Sequence, residues 1–202
     1  MIAAPAWLAG RRALLSGSLT GLLTVEHSIT AAGATVARSG VAKADEVVIA
    51  DDMTSCEAGA PLDILVIGGR LPAPREASGI DLVAWRDSLS ADIDLRFLQT
   101  AEFARRCLAS GRAGAVLHLM PSPNLRTKRA VELTSYGAVE NLIKSLAVEW
   151  ARDGIRINGI ASRVCEDDGD TGAATSLGYL AAYLVSDYAA YVSGMVMGID
   201  ET

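Results

Sequence analysis

The sequence is poor in aromatic side chains, with three Trp, five Tyr and two Phe in 202 residues, so its core must be built from aliphatic residues and alanine. Cysteine is scarcer still. Cys56, Cys107 and Cys165 are odd in number and far apart, without CxxC or Cys/His spacing. That excludes a sequence-evident metal or disulfide framework and points to reduced thiols in a cytoplasmic protein. No apolar run reaches the roughly 18 residues of a membrane span. The apolar segment Met1–Gly10 comes before Arg11-Arg12, the reverse of a signal peptide's order and too short for one. Lys and Arg number 18 against 24 Asp and Glu, a net charge of −6. With no basic stripe either, the charge argues against a nucleic-acid partner.

What is abundant is aliphatic: half of the residues are hydrophobic and the mean hydropathy is positive. An apolar chain with no membrane segment points to large interfaces with other subunits. The length is that of one domain, 1–202, with a substantial core, and no repeat or low-complexity segment interrupts it.

The longest readable stretch is VELTSYGAVENLIKSLAVEWARDGIRINGIAS, residues 131–162. Tyr136, Val139, Ile143, Leu146, Ala147 and Trp150 recur at helical steps, and Ala138 and Leu142 widen the stripe toward burial on two sides. A turn at Asp153-Gly154 leads into a buried strand, 155–161. At the other end of the chain a strand at 12–15 is followed by a glycine-bearing loop, a helix through Ala32 and a second strand at 34–37, the opening of a Rossmann-type half. Further strands are predicted at 47–50, 62–67, 114–119 and within 192–200. About nine residues separate the second strand from the third, fewer than a parallel crossover needs, and 51–61 is too short and turn-rich for a full helix. A helix of about twenty residues is predicted to end near Ser110, with Ile93, Phe97, Ala101, Ala104 and Leu108 inward. A polar loop, 121–130, precedes the long helix, and a last helix is predicted over 176–186. His118, inside a strand, reads as a packed or hydrogen-bonded core histidine. The run Cys165 to Asp170 lacks the spacing of a calcium loop and reads as a solvated acidic turn. The alternation gives an α/β class with a doubly wound, Rossmann-like parallel sheet.

Several segments carry a family resemblance. GAVENLIKSLAVEWARDGIRINGIAS resembles the second half of a short-chain dehydrogenase/reductase; Ser16-Gly17…Gly21 resembles its T-G-x-x-x-G-x-G loop; Gly114–Leu119 resembles G-x-I-V-N-I-S-S; and the tail resembles the last helix and strand. The resemblance implies a fold trimmed on the adenine side and without a substrate lid. Members transfer hydride between a nicotinamide and a carbinol carbon, using Tyr, Lys, Ser and Asn. At the matched positions this chain has Glu132, Tyr136, Pro121 (with Ser122 one residue on) and Asp92, the last read as a solvated or capping residue. Leu23 replaces the third loop glycine, where it adds side-chain carbons beside the cofactor turn, and both Asn of the family's N-N-A-G are gone from Leu65–Arg70. Arg38-Ser39-Gly40 follows the second strand, where an acidic residue would hold a ribose; an Arg there is able to meet a 2′-phosphate.

A carboxylate at position 132 is ionised near neutral pH unless buried and is a poor proton donor. Glu140, one turn beyond Tyr136, would raise a phenol's pKa where the family lowers it. The expectation is therefore a catalytically silent subunit, not an enzyme on its own, with a vestigial loop (Ser16, Gly17, Gly21, Leu23) and no cofactor or metal in this chain. NAD would sit in an active paralogous partner, in an α2β2 tetramer joined through the two long helices. Among such assemblies the resemblance is to the inactive partner in hydroxyacyl-CoA dehydrogenases, as in anaerobic toluene breakdown. Two alternatives are a metabolite- or nucleotide-binding sensor of the same fold, and a cofactor-free, dehalogenase-like enzyme using Ser122 and Tyr136. Against the last, Tyr136 comes one helical turn late and Glu140 stands where an Arg is wanted.

Overall fold

Aliphatic runs ending in glycine or a polar residue become the strands of one parallel sheet. The computed structural model describes residues 6–17, 19, 21–39, 61–69, 76–122, 130–165 and 171–199. Its strands are β1 (Arg12–Gly17), β2 (Thr35–Arg38), β3 (Ile64–Gly68), β4 (Gly114–Met120), β5 (Ile155–Ser162) and β6 (Val196–Ile199). They lie in the order β2-β1-β3-β4-β5-β6, every neighbouring pair parallel. β3 and β4 are buried along their whole length, as strands covered on both faces must be, so their apolar runs are continuous.

Among the described residues four helices supply the cover: α1 (Gly21–Ala31), α2 (Leu82–Ser110), α3 (Ala130–Glu149) and α4 (Thr171–Val185). Alternate strand residues face opposite sides. Leu15, Ile64, Val66 and Leu117 pack with α1 and α4 through Val25, Ile29, Leu177 and Ala181. Leu14, Leu65, Ile67 and Val116 pack with α2 and α3 through Phe103, Cys107, Val139 and Ile143. Each such side chain contributes about 1.5–3 kcal/mol by leaving water. The two cores explain how a chain with two Phe still folds: many small and branched contacts replace a few large ones.

The expected α/β class and doubly wound parallel sheet are what the chain adopts. The strand expected at 47–50 and the interval 51–60 lie outside the described residues, as do 123–129 and the acidic residues 166–170; the trimmed helices and the missing lid fall with them. α4 starts at Thr171 rather than 176. α3 buries Val139, Ile143, Leu146 and Ala147 as predicted, with Tyr136 and Trp150 packed at the margin.

α2 departs more. It begins at Leu82, capped by Asp81, whose side chain accepts a hydrogen bond from the Ala84 N–H at 2.8 Å, and its inward face is rotated from the one expected. Phe97 and Leu108 are exposed, while Asp92, Arg96, Gln99, Thr100, Phe103, Ala104 and Cys107 are buried. Asp92, Arg96 and Thr100 bond to one another, to α3 and to strand ends, which offsets the usual penalty for burying them. Among the described residues no helix is long and apolar enough to cross a membrane.

From β1 the chain runs outward to β2, then returns to place β3 on the other side of β1. Strand order reverses between β1 and β3, and at such a point the carboxyl ends of the strands leave a crevice for ligands.

Candidate active site

The crevice is built on close backbone contact. Gly17, at the end of β1, pairs in register with Gly68, at the end of β3. Gly17 has φ +117°, and a Cβ there would stand 1.6 Å from the Gly68 carbonyl oxygen. No other residue fits, in conformation or in space. α1 starts four residues on, at Gly21, so its N-terminus follows closely on the end of β1, the arrangement in which a helix receives a phosphate. Leu22 turns inward, buried against Gly68. Leu23 turns outward and is 55% exposed.

Behind the crevice, on the α2–α3 side, lies a buried polar network. Arg96 is 1% exposed. Its Nε donates to Asp92 Oδ1 at 2.8 Å, its Nη2 to the Leu119 carbonyl at 2.9 Å and its Nη1 to the Ile67 carbonyl at 3.3 Å. Ser135 of α3 donates to the other Asp92 oxygen at 2.9 Å. His118 Nδ1 lies 3.4 Å from Arg96 Nη1 and its Nε2 lies 3.3 Å from Thr100 Oγ1. A guanidinium only donates, so Nδ1 accepts and the proton sits on Nε2, facing Thr100, whose own hydroxyl donates to the Arg96 carbonyl at 2.7 Å. His118 is fully buried; that burial first, and the Arg96 charge second, hold it neutral well below the ordinary imidazole pKa. Nearer β1, Gln99 Nε2 donates to Ser16 Oγ at 2.5 Å.

The sequence-matched positions are divided between this network and the crevice. Asp92 is deep inside, not solvated or capping as expected, because Arg96 and Ser135 satisfy its carboxylate. His118 is the bonded core histidine that was expected. Glu132 and Tyr136 lie one turn apart on α3, both half-buried. Pro121 follows β4 half-buried, and Ser122 is buried with its N–H donating to the Ser162 carbonyl at 3.3 Å. Ser16 is buried beneath the loop. Arg38, at the end of β2, is paired with Glu26 of α1, its Nε donating to Oε2 at 2.6 Å. The network residues Arg96, Gln99 and Ser135 were not singled out from sequence. Their only signals were the i, i+4 spacing of Asp92 and Arg96 on one helix face and a histidine in an apolar strand in need of partners.

No family model matches the chain. It is 29% identical over 197 residues to galactitol 2-dehydrogenase (L-tagatose-forming) of Cereibacter sphaeroides, covering 83% of this chain and 76% of that one. It is 25% identical to gluconate 5-dehydrogenase of Gluconobacter oxydans, over 96% of this chain and 94% of that one. Among solved structures, a candidate NAD(P)-dependent gluconate 5-dehydrogenase from Beutenbergia cavernae, with NADP bound at low occupancy, superposes with a TM-score of 0.80 at 25% identity, covering 97% of each chain. The fold is that of the short-chain dehydrogenase/reductases, and the relatives support that family. These likenesses overturn the expectation of a silent subunit: the similar chains are named as dehydrogenases, and the neighbouring structure has NADP bound. The non-enzyme and cofactor-free assignments fall with it, as does the hydroxyacyl-CoA assembly. The physical reason lies in the loop. Its phosphate-approaching turn rests on Gly17 and Gly21, both kept, and Leu23 points to solvent and leaves the packing of α1 on the sheet undisturbed.

Proposed function

We propose that this chain is an NAD(P)-dependent oxidoreductase that interconverts a secondary alcohol and a ketone on a polyhydroxylated substrate, a polyol or a sugar acid. The observation that carries the reading is the combination of the Gly17–Gly68 crevice with likeness to a galactitol 2-dehydrogenase over 83% of the chain and to a gluconate 5-dehydrogenase over 96% of it. A dinucleotide fits the backbone present: Gly17 puts no side chain at the end of β1, and the N-terminus of α1 begins four residues on, where a pyrophosphate is received. When bound, the nicotinamide takes hydride from the carbinol carbon or returns it. NADP is favoured over NAD, because β2 ends in Arg38 and no carboxylate stands beside it in sequence. In this role Arg38 would exchange Glu26 for a 2′-phosphate. The alcohol's proton must pass to a group of this chain, and Glu132, in the first turn of α3, is the carboxylate at the position where the family has its Tyr.

The test is titration with NADP(H) and NAD(H), followed by initial rates on galactitol, gluconate and related polyols. NADP(H) should raise the melting temperature more than NAD(H), and Arg38→Ala should reduce that preference at least tenfold. No melting shift with either dinucleotide, and no turnover of any polyol or sugar acid, would sink the reading.

Association belongs to the same proposal. Phe97, Leu98 and Leu108 of α2 and Val148 of α3 are exposed, and we propose an α2β2 assembly with a related dehydrogenase through these helices, in the cytoplasm. Light scattering of the chain alone and after co-expression with a paralogue would check it.

A further inference from the structure

We propose that Arg96 is a positioning residue that fixes the carboxyl ends of β3 and β4 against α2 and α3, and so sets the spacing of the hydride-transfer site. The inference rests on the oxidoreductase reading for its catalytic meaning, but its geometry stands apart from it.

Ile67 and Leu119 lie near the carboxyl ends of adjacent strands, where His118 is opposite Ile67 and Leu119 opposite Gly68. Their carbonyls both accept from one guanidinium. The planar fork of Arg96 thus ties the two strand ends together just below the crevice. Its third edge holds Asp92, and Asp92 holds Ser135, one residue before Tyr136 and three after Glu132. Four elements therefore meet at one group. The backbone that follows β3 is pressed onto the same pair: a Cβ on Gly69 would lie 1.9 Å from Asp92 Oδ1 and 2.4 Å from Arg96 Nη2. Displacing the guanidinium by a fraction of an ångström would move the floor under Gly68 and Gly69 and the α3 turn carrying Glu132 together.

A lysine cannot reproduce this, because one ammonium has no planar set of edges to reach two carbonyls and a carboxylate at once. Arg96→Lys keeps the charge beside Asp92 while losing the bridge, which separates positioning from mere charge compensation.

The experiment uses the full chain as wild type, Arg96→Lys and Ser135→Ala, with hydrogen exchange read by peptide, NADP(H) affinity by melting shift, and kcat and KM. In Arg96→Lys, amides of Gly68, Gly69, Leu119, Met120 and Ser122 should exchange at least tenfold faster while those of β2 stay unchanged. NADP(H) affinity should hold within about twofold, and kcat should fall at least tenfold with KM little altered. Ser135→Ala cuts only the α3 arm, so faster exchange should be confined to the first turns of α3; it also serves if Arg96→Lys fails to fold. Unchanged strand-end exchange in Arg96→Lys, acceleration spread evenly over the sheet, or no change at α3 in Ser135→Ala overturns the proposal. A wild type that turns over no alcohol sinks the oxidoreductase reading instead, and the exchange pattern still decides whether Arg96 fixes the strand ends.

Discussion

Both ends of the sheet carry arginine–aspartate pairs, and water reaches them differently. At the carboxyl ends, Asp92 and Arg96 are buried together and share Ser135 and two strand carbonyls. At the amino ends, Asp63 is buried just before β3, accepts the Arg12 N–H at 2.9 Å and is paired with Arg112, with Arg11 at 3.8 Å. Arg11 reaches outward to Asp187 at 2.6 Å, which is 79% exposed. Arg156 donates to the carbonyls of Leu184, Ser186 and Ala189 and so closes the end of α4. Arg11, Asp63, Arg156 and Asp187 line a cavity of about 60 Å³, large and polar enough to admit water. The difference teaches that one ion-pair chemistry serves two ends. Sealed from water, it fixes geometry at high stakes; where it opens to water, as at Arg11–Asp187, it is a screened and replaceable surface feature.

Substitutions can break that comparison. Arg96→Met should cost most, about 3–5 kcal/mol by denaturant melting, because it strands a buried carboxylate; a loss below about 1 kcal/mol would mean water already reaches Asp92. Asp63→Asn should fall between the extremes at about 1–3 kcal/mol, since it removes the buried charge facing Arg112 and turns one of the two acceptor oxygens, which serve Arg112 and the Arg12 N–H, into a donor. Acid sharpens the contrast. His118 is held neutral in the folded chain and has an ordinary pKa when unfolded, so the unfolded state binds the extra proton. Its stabilising contribution is intact above about pH 6.5 and is lost as pH falls toward the depressed folded value. His118→Gln should flatten that part of the stability–pH curve, and an unaltered slope would refute the assignment. Smallest of all, Asp187→Asn should change stability by less than about 1 kcal/mol and less still at high salt.

Most of the fold was legible because apolar side chains advertise their faces. Val139, Ile143 and Leu146 placed α3, and the runs in β3 and β4 placed the middle of the sheet. α2 was misread for a physical reason. Its buried face contains Asp92, Arg96, Gln99 and Thr100, which a reading by hydropathy sends to solvent, and the sequence does not state that Asp92, Arg96 and Thr100 bond to one another and to neighbouring elements while Gln99 reaches Ser16 of β1. Phe97 and Leu108 drew the expected stripe to the wrong side. The candidate site was half legible. Gly17 and Gly21 marked the crevice, but Leu23 and Glu132 were taken as signs of a dead site. Side-chain identity at a matched position does not reveal direction, and Leu23 points away from the sheet.

Because a backbone atom of Gly17 and the carbonyl of Gly68 are in direct contact, the two lips of the crevice are mechanically one. A push on either segment, though some fifty positions apart along the chain, is transmitted without a side chain to absorb it.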